Sequence, residues 1–406
     1  MNFLWVGAAV AGPVFGEASE EMLLDLDGNW PRAFPETERG GFVMFSAGGG
    51  DFKLTHANSS LTADHYDDRL LTGRKDLKDH DIRPCPDGTW LHVATGDTKG
   101  DHDSAWVWRY NSDFTILSHA TYAEASTDGS NFVDVPVVCG PEFQGFAYAY
   151  PPSGMPARFA EIGSTAEADR IIDLEHAPFP TGSSLINDRD GTLWILGGYT
   201  EEGQPARKFV NAQYDAGWTS GDHWVLTVAK EGYEAYWPQA TIRVGNFFIV
   251  AHMLRDTASD WTQQEGNLAL TAFDAETWTQ VDQVQLSANV APNGGMQPFV
   301  VYDGKDGLVA LYSKQLKNYA FRIQLQPEVL SGGEDTAVED TGDSGETGAD
   351  TASDTAEPAD SDGSSPIDTG EADPECGCAT PGPSGPPAAA FAWLLARRAR
   401  RARTLT

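Results

Sequence analysis

Two aspartates, Asp81 and Asp134, stand in similar settings about fifty residues apart. One lies in His80-Asp81-Ile82-Arg83-Pro84 and the other in Val133-Asp134-Val135-Pro136. Each precedes a short extended stretch that ends at proline. Carboxylates on either side of a glycosidic bond divide the acid and base work of sugar hydrolysis. Such chemistry also needs a proton donor, and Glu142 is the candidate for it. The same aspartates suit better a structural role, capping a turn that recurs with a repeat.

Metal chemistry has weaker support. Asp79-His80-Asp81 and Asp101-His102-Asp103 place two carboxylates at i and i+2. On a strand those positions share a face. Both also read as solvated loop residues, and no metal or other cofactor is expected. The chain has no Gly-x-Ser-x-Gly elbow, no His-Glu-x-x-His, no phosphate-cradling loop and no Cys-x-x-Cys.

The elements that must carry these residues are short strands. Cys85-Pro86-Asp87-Gly88-Thr89-Trp90 and Asp188-Arg189-Asp190-Gly191-Thr192-Leu193 are both an Asp-Gly turn followed by an aromatic-rich strand. The glycine supplies the positive φ that tight hairpins require. Related turn-and-strand units follow Gly41, Gly145, Gly245 and Gly307, which makes six. A second hairpin follows in most units, as where Trp106–Tyr110 turns at Asn111–Asp113. Each unit reads as four antiparallel strands, and no long helical periodicity is present.

Four-stranded units at a period of about 40–50 residues mark a β-propeller. The chain is therefore expected to be all-β, a six-bladed propeller, with five or seven blades as variants and a double β-sandwich as the rival. The last unit lacks a fourth strand, and Met22–Leu26 is expected to supply it and close the ring. First strands of the blades should line a central channel, starting near Phe34, His80, Val133, Ser183, Trp237 and Met296. Their polar and aromatic residues make His80, Trp237, Gln239 and Gln297 the candidate binding residues at the channel mouth. Trp237 suits stacking on a sugar face.

The blade starts around Asp81 and Asp134 resemble those of arabinanase-type propeller glycosidases. The resemblance implies a base and a pKa-modulating role for these aspartates; no residue matches the acid Glu of those enzymes, and Glu142 is the candidate left for it. It covers a few residues per blade, and those enzymes have five blades.

The 406 residues carry a formal net charge of -33. No basic stripe is present to meet phosphates, so nucleic-acid binding is not expected. From 331 to 375 there is no Lys or Arg, and Asp and Glu recur among Thr, Ser, Gly and Ala. Such a segment has too little apolar surface to fold and reads as an extended acidic stalk. Residues 1–18 read as a secretory leader, apolar from Phe3 to Gly12 and cleaved near Ala18. The body then spans 19–330.

Residues 376–406 join Cys376-Gly377-Cys378 to the apolar Phe391–Ala396 and an arginine cluster. This order resembles the MYXO-CTERM sorting signals. The resemblance implies export, processing near Cys376 and Cys378 by a sorting protease, and retention at the outer membrane or surface of a Gram-negative cell. An oxidising compartment permits Cys85 and Cys139 to pair; two buried free thiols are the alternative. The expectation is a monomeric, surface-displayed module that binds a glycan or an extracellular protein. A polysaccharide hydrolase and a structural envelope protein are the alternatives.

Overall fold

The computed structural model describes residues 13–36, 40–48, 51–67, 77–96, 104–122, 135–148, 157–174, 183–199, 208–228, 230–260 and 265–331. They form a six-bladed β-propeller of antiparallel blades. Two short strands come first, β1 (Phe15–Ala18) and β2 (Met22–Asp27). Blade 1 is β3 (Asn29–Glu36), β4 (Gly41–Gly48), β5 (Asp51–Ala57) and β6 (Ala63–Asp67). Blade 2 is β7 (Leu77–Pro84), β8 (Trp90–Gly96), β9 (Ser104–Tyr110) and β10 (Ile116–Tyr122). Blade 3 is β11 (Val137–Cys139), β12 (Gln144–Tyr148), β13 (Ala157–Ile162) and β14 (Ala168–Leu174). Blade 4 is β15 (Ser184–Asn187), β16 (Leu193–Tyr199), β17 (Lys208–Tyr214) and β18 (Ser220–Thr227). Blade 5 is β19 (Tyr233–Val244), β20 (Phe247–Asp256), β21 (Asn267–Asp274) and β22 (Gln280–Gln285). Blade 6 is β23 (Met296–Tyr302), β24 (Gly307–Lys314) and β25 (Lys317–Leu325), and a short helix α1 (Pro327–Ser331) follows it.

Local chemistry explains the hairpins. Between first and second strands, Asp87 and Asp190 accept the backbone N–H of Thr89 and Thr192. Gly88 and Gly191 take φ of 77° and 74°, as the Asp-Gly pairs predict. Between third and fourth strands, Asn58, Asn111, Asp215 and Asp274 cap the turn in the same side-chain-to-backbone way. Each of these turns then seats a large apolar residue in left-handed backbone: Leu61, Phe114, Trp218 and Trp278, with φ of 53° to 63°. Three of the four are buried, so packing between blades offsets the backbone strain.

The ring closes through the N-terminus. β25 pairs with β2 at Met22↔Ala320 and Leu23↔Tyr319, the closure expected of Met22–Leu26. It also pairs with β1 at Phe15↔Leu325, so the outer strand is longer than the sequence reading proposed. Ala18, the expected end of a leader, is the last residue of β1, and Phe15 is buried. Asp282 of blade 5 accepts the N–H groups of both Val14 and Phe15.

Aromatic side chains join neighbouring blades. Phe34 packs edge-on to Trp90 of blade 2 at 5.4 Å and to Phe299 of blade 6 at 5.7 Å. Phe34 therefore sits inside β3, and blade 1 starts at Asn29, five residues before the expected Phe34. Blades 2 and 3 are tied covalently, because Cys85 and Cys139 form a disulfide with a Cα–Cα distance of 4.9 Å. The buried Arg109 lies beside it, its Nε donating to the Gly163 carbonyl of blade 3 at 2.9 Å. Among the described residues no helix is long and apolar enough to cross a membrane.

Candidate functional site at the channel mouth

Three blade starts share one backbone device. Trp30-Pro31, Trp237-Pro238 and Gln297-Pro298 each place a non-glycine residue in left-handed backbone before proline, with φ of 61°, 56° and 61°. Each pair falls at a break in strand register: between Asn29 and Arg32, Tyr236 and Ala240, and Met296 and Phe299. Proline has no N–H to give the ladder, so it is tolerated at a bulge. Holding a bulky L-residue at positive φ costs about 1–3 kcal/mol, and the surrounding contacts must over-determine it.

Those contacts converge on Trp30. Its backbone N–H donates to Gln297 Oε1 at 3.0 Å. Its carbonyl pairs with His80 Nε2 at 2.9 Å. Its ring meets Trp237 edge to face, with centroids 6.2 Å apart and planes at 72°. The Arg32 guanidinium lies 5.9 Å from the same ring. Trp30 belongs to blade 1 and Trp237 to blade 5, so the pair spans the start of blade 6 between them. Of the four expected binding residues, His80, Trp237 and Gln297 are thus gathered around a residue that sequence reasoning missed. Gln239 follows Pro238; it is 4 % exposed and its Oε1 has no hydrogen-bond partner. Trp237 stays half-buried.

His80 is neutral at ordinary pH. Burial, then the nearby His92 and Arg32, hold its pKa well below the usual histidine value. Because its Nε2 faces a carbonyl, that nitrogen carries the proton and Nδ1 is an acceptor without a partner. Gln239 Oε1 is a second such acceptor. Buried acceptors that lack a protein donor are ordinarily satisfied by an ordered water.

Asp81 is placed differently. Its Oδ1 accepts from Arg32 Nε at 2.8 Å, and its Oδ2 faces Arg83 Nη2 at 3.1 Å. The N–H of Val137 also donates to Oδ2 at 3.0 Å. This carboxylate joins the first strands of blades 1, 2 and 3 and has both oxygens engaged. Asp134 lies outside the described residues, and so does its separation from Asp81. Glu142 is exposed in the β11–β12 turn, at the opposite end of the first strands from Trp30 and His80. There it lines an open cavity of about 430 Å³ with Asn187, Asp188 and Asp190. The structure does not bring Glu142 to Asp81.

Among the described residues no group of three or more His, Cys, Asp or Glu is arranged to hold a metal ion. Asp101-His102-Asp103 lies outside them, as do Cys376 and Cys378.

No protein-family model matches the chain, and no curated protein matches it. Solved structures do. A protein of unknown function from Dyadobacter fermentans DSM 18053 is 11 % identical, aligns over 77 % of this chain and 100 % of its own, and has a TM-score of 0.57. A subtype N10 neuraminidase-like protein of A/little yellow-shouldered bat/Guatemala/060/2010 is 10 % identical over 77 % of this chain and 99 % of its own, at a TM-score of 0.46. An endo-arabinase from Bacteroides thetaiotaomicron VPI-5482 is 12 % identical over 76 % and 97 %, at 0.39. At such identities the likeness is one of fold.

Proposed function

We propose that the protein is a surface-displayed propeller that binds a glycan at the channel mouth. The observation that supports this best is the convergence of Gln297, His80 and Trp237 on Trp30, built from strained blade starts. Strain held in place by several independent contacts marks positions kept for a purpose other than stability. The half-buried Trp237 offers a ring face for stacking. The acidic 331–375 segment serves as a stalk, and 376–406 as the sorting signal that retains the exported protein.

Binding is favoured over hydrolysis by the state of Asp81, whose oxygens are held by two guanidiniums and a backbone N–H. A general base needs access to the proton it takes.

The test is calorimetry of the full chain against plant, algal and bacterial oligosaccharides, with sugar release followed in the same samples. The expected result is saturable binding without turnover, weakened about 30-fold by Trp237→Ala, the cost of losing a central aromatic anchor. Turnover by the wild type that disappears in Asp81→Asn, with the fold retained, overturns the binding reading in favour of a hydrolase.

A further inference from the structure

Among the described residues, blade 5 pairs its first two strands further at the channel mouth than blades 1, 2 and 6 do. In β19–β20 four residue pairs precede the register break, from Tyr233↔Asp256 to Tyr236↔Met253. Blades 1, 2 and 6 each have one pair there: Asn29↔Ala47, Leu77↔Gly96 and Met296↔Ser313. The added hairpin is stitched at its far end, where Thr257 N–H donates to the Gly232 carbonyl at 3.0 Å. At the strand rise, four residues project about 13 Å. The projection carries Tyr233 and Tyr236, both half-buried, and runs straight into Trp237. Tyr233 packs back on the core between blades 4 and 5, and Tyr236 is the ring that this ledge carries beside the mouth.

Arg255 stands on this ledge, with its Cζ 6.0 Å from the Tyr236 ring centroid. Its Nε is buried and has no hydrogen-bond partner. The chain has 60 acidic residues and 27 basic ones, so a cation without a carboxylate is unexpected. Among the described residues, other partly buried cations are matched. Arg32 and Arg83 face Asp81, Arg243 faces Asp188, and Lys314 faces Glu21. Even Lys230, which caps the Tyr233 ring at 4.5 Å, donates to Gln285. Glu234 lies opposite Arg255 in register, yet its carboxylate takes the Tyr236 hydroxyl at 2.5 Å. Asp256, the next residue along, caps the turn by accepting from the Ala258 N–H. Among the described residues, Arg255 is left with an aromatic neighbour and no carboxylate on its guanidinium.

That combination has a chemical meaning. A guanidinium matches a carboxylate with two parallel hydrogen bonds, and its strength rises when water is excluded. An aromatic ring beside it takes the flat face of a pyranose. We infer that the blade 5 ledge is a subsite for a carboxylate-bearing sugar, a uronic acid within a longer chain. Arg255 takes the carboxylate, while Tyr236 and Trp237 take the ring. This rests on the glycan reading of the channel mouth and adds the substrate class. The protein's own negative charge then acts as a filter. It repels polyanions at long range and leaves one short-range anchor, which works at ordinary salt, where charges beyond about 8 Å are screened.

The experiment uses the full chain at physiological salt. Galacturonate, glucuronate and mannuronate oligosaccharides are titrated beside the same oligosaccharides with their carboxylates methyl-esterified. At least one acid form is expected to bind about tenfold or more tightly than its ester, the worth of a charge-assisted pair. Arg255→Gln should erase that preference by weakening the acid form far more than the ester, and Arg255→Lys should restore part of it. Equal binding of acid and ester, or a preference that survives Arg255→Gln, overturns the inference and leaves the glycan reading standing. Absence of binding to every acidic, esterified and neutral sugar overturns both. Hexaglutamate bound as tightly as the uronates and lost in Arg255→Gln also overturns it, since the anchor would then read a carboxylate and not a sugar.

Discussion

Asp81 shows how one side chain can look catalytic in sequence and serve the frame in three dimensions. Its partners are Arg32 and Arg83, and the side chains of Asp81 and Arg32 are each only 3 % exposed. Removing one partner of a buried pair leaves an uncompensated charge, which costs about 3–5 kcal/mol. Asp81→Asn is therefore expected to destabilise the ring by that order in urea unfolding. A variant as stable as wild type would show that Asp81 is not a structural counter-ion. The buried histidines predict a pH effect. Burial lowers His92 to about 3 and His252 to about 4, and holds His80 well below its ordinary value. In the unfolded chain all three titrate near 6.5. Below that pH the unfolded state binds protons that the folded state refuses, so stability falls as pH drops. For His92 and His252 the loss begins near pH 6.5 and keeps growing until their folded values, about 3 and about 4, are reached, and His80 adds to it in the same direction. Each histidine contributes up to about 1.4 kcal/mol per pH unit across its window. The melting temperature should fall steadily between pH 7 and 4.5, and His252→Asn should flatten the fall. A melting temperature constant over that range would contradict it.

At the scale of elements, what was legible in the sequence is what local chemistry decides. The Asp-Gly turns, the four-strand period and the apolar strand Met22–Leu26 each follow from neighbouring residues. The missed features are those decided at a distance. The first strand of blade 1 is expected to start near Phe34, after the glycine and proline of Gly28-Asn29-Trp30-Pro31, residues that punctuate chains. In the ring Asn29-Trp30-Pro31 belongs to β3, since a bulge absorbs the proline and Gln297, 267 residues away, takes the freed N–H. Trp30 was lost with it, and so the hub of the site was lost. Leu61, Phe114, Trp218 and Trp278 defeat the same rule, which expects Gly or Asn at positive φ. The recurrence of a large apolar residue between an Asn/Asp turn and a Thr was the available signal: Asn58…Leu61-Thr62, Asn111…Phe114-Thr115, Asp215…Trp218-Thr219 and Asp274…Trp278-Thr279. The Asp81–Arg32 ion pair had no comparable trace, because Arg32 lies 49 residues upstream and nothing local names it.

The whole ring depends on how its two ends meet. A propeller blade exposes an unpaired edge unless its outer strand is filled, and an open edge invites aggregation. Here β25 is covered by β2 along its first half and by β1 along its second. Asn318 Nδ2 holds the Leu26 carbonyl at 2.6 Å, and the Ser19 hydroxyl accepts the Arg322 N–H at 3.0 Å. Asp282 then fastens Val14 and Phe15 to the neighbouring blade. A leader cut at Ala18 would remove β1 together with both N–H groups that Asp282 binds, and would bare Ile323 to Leu325. If the protein is exported, its mature form is expected to retain Val14. Two truncations grade the closure: a chain beginning at Ser19 lacks β1, and one beginning at Gly28 lacks both strands. The first should melt lower than the chain that keeps Val14, yet still cooperatively. The second should lose its sharp transition or aggregate, because Leu24 and Leu26 leave the core with it. An unchanged melting temperature in the chain beginning at Gly28 would mean that the ring closes without its N-terminal strands. If the exported protein itself begins at Ser19, β1 is dispensable for the mature ring, and Asp282 must satisfy another partner.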